Sequence, residues 1–280
     1  MINKQIDGYK IISFIGKGTF GSVYKCDKNG EIYAMKIFSA DHIFTEINKG
    51  EDNRITREIE ALKIVNSKNV AKYIDNGNFI DNNFNYLYVI MDYIDGLDLE
   101  EVMKDKAFSI DESIDIFQSL LNGISAIHEA KIIHRDLKPA NIYLLKNGDI
   151  KILDFGLSKL IDFTSITNTG DILGTPLYMS PEQISDSKNI DYRSDFYALG
   201  VIFYKLLTNM TPYGNITSRE ELYYKIQGEL PVSIRTYIPT IDNSIDNLIT
   251  SLLEKANYKR PNTIHEILSY LEKVGKDKSY

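Results

Sequence analysis

Two carboxylates, an amide and a lysine are gathered in His134-Arg135-Asp136-Leu137-Lys138-Pro139-Ala140-Asn141 and in Asp154-Phe155-Gly156, whose aspartate follows Asn141 by thirteen residues. Moving a phosphoryl group calls for such a set: a base to orient the attacking hydroxyl, ligands for Mg²⁺, and cations against the phosphate charge. A second set lies upstream. Gly16-Lys17-Gly18-Thr19-Phe20-Gly21-Ser22-Val23 carries G-x-G-x-x-G, whose glycines let a turn bring backbone amides close to phosphates, and Lys36 follows Val23 by thirteen residues. Each feature has a plainer reading when taken singly. An Asp or Asn in a loop is most often a turn former, a Gly-rich stretch is an ordinary hairpin turn, and a lysine on a strand is usually just solvated. Their joint spacing is what points to chemistry.

These side chains need elements to hold them. The first ninety-odd residues read mostly as strands. Ile11, Ser13 and Ile15 alternate with their neighbours, Ser22 to Cys26 and Ile32 to Phe38 are β-branched and aromatic runs split by the turn signal Asn29-Gly30, and Tyr86 to Tyr93 is a further run. Within this half, Ile55, Ile59, Leu62 and Ile64 or Val65 recur at near-helical spacing and predict one helix. Beyond Gly96 the pattern turns helical. Ser113 to His128 carries an apolar face behind a Ser109/Glu112 capping box, short strands flank Asn147-Gly148, and helices are predicted at Arg193 to Leu207, Arg219 to Ile226, Ile245 to Leu253 and Thr263 to Val274. The expected fold class is α+β, with a small antiparallel β lobe at about 9–94 hinged near Asp95-Gly96 to a larger, mainly α-helical lobe at about 96–270, and a short tail at 271–280.

The 280 residues are 43% hydrophobic, enough for two lobes sharing a cleft, and the formal net charge of −7 argues against nucleic acid or an anionic membrane as the main partner. A single cysteine, Cys26, excludes an internal disulfide and reads as a small apolar filler. With an acidic residue, Asp7, ahead of any apolar run, no secretory signal is expected, and apolar stretches such as Ala198 to Tyr204 fall short of the roughly 20 residues of a spanning helix. A cytoplasmic location is the expectation.

The pattern H-R-D-x-K-P-x-N followed by D-F-G resembles the protein kinase superfamily, and within it the Hanks-type, eukaryotic-like Ser/Thr kinases of bacteria. The resemblance covers about residues 9 to 270 and rests on further segments: Tyr33-Ala34-Met35-Lys36, Gly174-Thr175-Pro176-Leu177-Tyr178-Met179-Ser180-Pro181-Glu182, Arg193-Ser194-Asp195-Phe196-Tyr197-Ala198-Leu199-Gly200 and Lys259-Arg260-Pro261. It implies a bilobal kinase fold with one αC helix in the small lobe. It also implies a Ser/Thr protein kinase that transfers the γ-phosphate of ATP, with Mg²⁺ or alternatively Mn²⁺, to hydroxyls of protein substrates. Asp136 would be the catalytic base, Lys138 the cation beside the transferring group, and Asn141 and Asp154 the metal ligands. Lys36 would contact the α- and β-phosphates and pair with Glu58 on the helix, Glu60 being the competitor.

The same resemblance places the nucleotide. Ile15, Gly16, Gly18 and Gly21 would cover it, Val23 and Ala34 lie above adenine, and Tyr143 lies beneath, where Leu or Met is usual. Met91 would precede the hinge Asp92-Tyr93-Ile94, although plain core packing explains a buried Met equally well, and Asp98 falls where an acidic residue reaches the ribose. Asp195 would support the catalytic loop, Tyr197 would fill a volume for which the chain has no Trp, and Glu182 would pair with Arg260. Thr167 and Thr169 show a spacing associated with autophosphorylation in trans, with Arg135 as the phosphate partner; an unmodified polar loop is the alternative. Two other activities compete: a pseudokinase scaffold and a small-molecule phosphotransferase of related fold.

Overall fold

Asn29 and Gly30 both adopt left-handed backbone, with φ of 59° and 86°, the conformation a two-residue hairpin turn demands. They join β3 (Gly21–Lys28) to β4 (Glu31–Ser39), which pair from Lys28↔Glu31 to Ser22↔Ile37. The structure is a computed structural model and describes residues 1–18, 21–39, 62–155, 175–185 and 190–274. Its first half is a six-stranded antiparallel sheet in the order β1-β2-β3-β4-β6-β5, with β1 at Gln5–Ile6, β2 at Tyr9–Gly18, β5 at Tyr73–Asp81 and β6 at Phe84–Asp92.

The even alternation predicted for Ile11, Ser13 and Ile15 does not survive. Ile11 is fully buried, but irregularities in the β2–β3 register between Ile11 and Ser13 and between Phe14 and Gly16 rotate the strand, leaving Ile12, Phe14 and Ile15 exposed. Strand β5 was not foreseen, because Asp75-Asn76-Gly77-Asn78 runs against strand propensity. Its hairpin to β6 turns on Asn82 and Asn83, both at positive φ. Most of the helix predicted over 55–65 lies outside the described residues; residues 62 to 64 are helical, and Val65, not Ile64, is the buried partner of Leu62.

The second half begins with β7 (Gly96–Asp98), which joins β8 (Ile142–Leu145) and β9 (Ile150–Ile152) in a three-stranded antiparallel sheet. Between β7 and β8 come the helices Leu99–Asp105, also unforeseen, and Ile110–Glu129, which carries the predicted capping box between Ser109 and Glu112. The later helices are Pro181–Ser185, Arg193–Thr208, Arg219–Gly228, Asn243–Leu252 and Ile264–Leu271. Burial explains the second of these: Phe196 to Tyr204 are all buried, and Phe203 stacks on Phe117 at 4.1 Å between ring centres. No helix among the described residues is long and apolar enough to cross a membrane.

One continuous apolar core links the two halves, from Ala34, Phe38, Val89 and Met91 of the large sheet through Ile142 and Phe155 to Leu271. The other face of the large sheet carries a smaller cluster in which Cys26 is fully buried with Ile11, Met35, Tyr88 and Ile90. A backbone stitch reinforces the join. Ile152 N donates to Asn69 O at 2.8 Å, and Ala71 N donates to Ile152 O at 2.9 Å.

Candidate active site

The loop from His134 to Asn141 is shaped by a single buried carboxylate. Asp195, near the start of helix Arg193–Thr208 and 1% exposed, accepts the amides of His134 and Arg135, each at 2.9 Å, and contacts His128 Nε2 at 2.7 Å. Burial alone would raise the Asp195 carboxyl, but the hydrogen bond and charge of His128 and the His134 amide hold it below the ordinary aspartate range. Arg135 takes a positive φ of 66°, a strained conformation for a non-glycine residue that these bonds hold in place. Gln183 adds a bond from below, its Nε2 donating to Arg135 O at 2.7 Å. His134 is fully buried, its basicity lowered by desolvation, and its Nε2 lies 3.1 Å from Leu153 O, next to Asp154.

On this frame the loop's functional groups converge. Lys138 Nζ lies 2.9 Å from Asp136 Oδ2, and Asn141 Nδ2 donates to Asp136 O at 2.7 Å and to Asp136 Oδ2 at 3.3 Å. With the amide nitrogen committed to Asp136, the amide oxygen of Asn141 is the end left to act as an acceptor. Leu153 N donates to Asn141 O at 2.8 Å, which ties this loop to the chain entering Asp154. Asp154 itself takes a positive φ of 59°, and Phe155 is buried with its ring edge-on to Tyr73 at 5.0 Å.

From the large sheet, β4 delivers Lys36, which is 2% exposed and sits opposite Val23 on β3 and Val89 on β6. Its Nζ reaches Asp154 Oδ2 at 2.7 Å, so the two halves meet through an ion pair. The partner expected for Lys36, Glu58, lies outside the described residues, as do Thr167 and Thr169. Gly21 tolerates no side chain, since a Cβ would stand 2.2 Å from Ile37 O, whereas a Cβ on Gly16 would meet nothing within 4 Å. Gly18 pairs with Gly21 where β2 meets β3.

The remaining predicted residues lie on the strands of the two sheets or on the chain between them. Ala34 pairs with Met91 across β4 and β6, and both are buried, which places Met91 in the core. Val23 is half-buried, and Ile15 is 44% exposed. Asp92 N donates to Lys72 O at 3.0 Å and its carboxylate accepts from Lys72 N at 3.1 Å, so its side chain turns toward Lys72; Ile94, two residues on, is half-buried. Asp98 caps helix Leu99–Asp105 by accepting from Glu101 N at 2.8 Å. Tyr143 stands opposite Asp98 on one side and Lys151 on the other.

A model of the protein kinase domain matches residues 9–271. The chain belongs to the protein kinase domain family. It is similar to a probable serine/threonine-protein kinase of Clostridium perfringens, with 32% identity over 99% of this chain and 40% of the relative. It is also similar to serine/threonine-protein kinase PrkC of Bacillus subtilis, with 29% identity over 95% of the chain and 40% of the relative, and to probable kinase PknB of Lactococcus lactis, with 29% identity over 94% and 41%. The chain thus spans about two-fifths of the length of these relatives.

Within the kinase domain, Glu182 and Arg260 form a pair at 2.6 and 2.8 Å, and Arg260 also donates to the carbonyls of Arg193, Glu254 and Lys255. Burial raises the Glu182 carboxyl, but the Arg260 guanidinium more than offsets this and the net shift is downward. The Arg260 guanidinium lies over the Tyr197 ring at 5.0 Å, and the Tyr197 hydroxyl meets that of Tyr213 at 2.7 Å, so Tyr197 does fill a core volume. Lys255 Nζ donates to Tyr213 at 2.6 Å, and desolvation together with Arg260 lowers its pKa to about 8. Sequence reasoning missed His128, Gln183 and Tyr213. Each is a lone residue whose partner lies at least sixteen positions away in sequence, and no local spacing marks it.

Proposed function

We propose that this domain is a Ser/Thr protein kinase that transfers the γ-phosphate of Mg-ATP to hydroxyls of protein substrates. The observation that carries the reading is the convergence, across two halves of the molecule, of the Lys36–Asp154 pair at 2.7 Å with the Asp136, Lys138 and Asn141 cluster. The donor set fits the cofactor: Asp154 offers a partly exposed carboxylate, Asn141 a carbonyl oxygen, and Lys36 a buried ammonium, while the backbone at Gly16 is open to close approach. When bound, the nucleotide supplies the phosphoryl group and the divalent ion, Mg²⁺ or Mn²⁺, offsets its charge.

The chain's own residues do the rest. Asp136, fixed by Lys138 and Asn141, orients the substrate hydroxyl and takes its proton at Oδ. Lys138 keeps a positive charge beside the transferring group, and Lys36 sets a second against the phosphates. Ile15, Val23, Ala34, Met91 and Ile94 exclude water from the base, Tyr143 lies beneath it, and Asp98 lies at the ribose side. Thr167 and Thr169 are the proposed sites of autophosphorylation in trans, with Arg135 receiving the phosphate.

Incubation with ATP, Mg²⁺ and a generic Ser/Thr peptide tests the reading, with Asp136→Asn as the control. Peptide phosphorylation lost in Asp136→Asn supports it. Nucleotide binding without transfer would indicate a scaffold, and transfer to a small alcohol but not to peptide would indicate a small-molecule phosphotransferase. Peptide mapping after incubation checks the loop sites; incorporation confined to residues outside 160 to 175 would refute them.

A further inference from the structure

Both backbone groups of Arg135, the residue before the base, are held by side chains from elsewhere in the chain. Its N–H donates to Asp195 Oδ1 at 2.9 Å, and its carbonyl accepts from Gln183 Nε2 at 2.7 Å. Left-handed backbone is costly for a residue with a side chain, so a φ of 66° persists only while such anchors hold it. The Arg135 carbonyl belongs to the same rigid peptide unit as the Asp136 amide, so the bond from Gln183 sets the plane from which Asp136 projects. The side-chain amide that makes this bond is itself fixed. Ser180-Pro181-Glu182-Gln183 forms a capping box at the start of helix Pro181–Ser185: Gln183 Oε1 accepts from Ser180 N at 3.0 Å, and Gln183 N donates to Ser180 Oγ at 3.4 Å. With its oxygen committed to the cap, the amide presents its NH₂ to the loop.

We infer that Gln183 is a positioning residue for Asp136, coupling the 175–185 segment to the base through the Arg135 carbonyl. This inference rests on the kinase reading above, in which Asp136 takes the substrate proton. A glutamate completes a capping box as well as a glutamine does, but its carboxylate has no hydrogen to donate. Gln183→Glu therefore keeps the helix start and removes the bond that crosses to the loop, and protonating the introduced carboxyl supplies a donor again.

The test measures kcat for a Ser/Thr peptide, and ATP affinity by calorimetry, in the wild type, Gln183→Glu and Gln183→Met from about pH 8 to about pH 5.5. Near the upper limit both variants are expected to lose about 10- to 100-fold in kcat with ATP affinity kept, the scale of a small misplacement of a reacting group. As pH falls, the ratio of Gln183→Glu to wild type should climb back toward one, while that of Gln183→Met, whose new side chain does not titrate, stays flat. The charged groups of the loop and the helix, Arg135, Asp136, Lys138 and Glu182, and the Asp195 and Arg260 that bond to these elements, are common to all three proteins and cancel in the ratio. Wild-type kcat in Gln183→Glu at the upper limit, a deficit that does not change with pH, or a loss of ATP affinity matching the loss of kcat overturns the inference and leaves the kinase reading intact. A wild type that transfers no phosphate overturns both.

Discussion

Two buried cations, one in each half of the molecule, are held by different physics. Arg260, 2% exposed, donates to both oxygens of Glu182 and to three backbone carbonyls, so its fork is saturated by protein. Lys36 is equally buried, but among the described residues its ammonium has one carboxylate partner, Asp154, whose side chain is 31% exposed. A cation with every donor bonded by its own chain is framework. One whose carboxylate partner among the described residues is itself partly solvated retains capacity for an anionic ligand, and Lys36 is of that kind.

The comparison is broken or sharpened most strongly by removing each cation in the same way. Arg260→Met strands Glu182 and three carbonyls, so the stability in urea is expected to fall by about 3 to 5 kcal/mol. Among the described residues Lys36→Met strands one carboxylate, Asp154, which water can reach, and its unfolding free energy should change by less than about 1.5 kcal/mol. Phosphoryl transfer in that variant should nonetheless fall roughly 10²- to 10³-fold, the scale of losing one preorganised electrostatic contact. Equal destabilisation by the two substitutions would erase the distinction.

A smaller effect is expected where helix Ile110–Glu129 crosses the join between the halves. A Cβ on Gly123 would meet Ile152 Cδ1 at 2.6 Å and Asn69 O at 3.2 Å, so Gly123→Ala should cost about 1 to 3 kcal/mol by thermal or urea unfolding. The smallest effect lies in the pH dependence. Glu182 and Asp195 both have depressed folded-state values, so their stabilisation is complete above the unfolded carboxylate pKa and is lost as pH falls through the folded one. Urea midpoints measured from neutral pH down to about 2 should therefore decline below about pH 4, and Glu182→Gln should make that decline shallower.

How much of this was legible in the sequence varied with the range of the interaction. The β3–β4 hairpin was plain because Asn29-Gly30 is a local signal, and the capping box at Ser109 was plain for the same reason. The β5–β6 hairpin was missed although Asn82-Asn83 takes the same left-handed backbone, since the middle of β5, Asp75 to Asn78, is poor in strand formers and its pairing to β6 decides the matter. The helix Leu99–Asp105 had a readable start in Asp98 with acidic residues at 100 and 101, but that aspartate was assigned to the ribose alone. At the candidate site, spacing alone singled out Asp136, Lys138, Asn141 and Asp154. The residues that position them did not: His128 reaches Asp195 across 67 positions and Gln183 reaches Arg135 across 48, distances at which only folding reveals a pair.

The stitch between residues 69–71 and Ile152 has a mechanical consequence. Ile152 stands two peptide units ahead of Asp154, with His134 bracing the intervening Leu153 carbonyl. The strand end that carries the acid is thus clamped between two parts of the chain, like a lever with its fulcrum at Ile152. The backbone two residues before Asp154 is thereby anchored to the 69–71 segment, so the carboxylate that pairs with Lys36 springs from a strand end fixed on both sides.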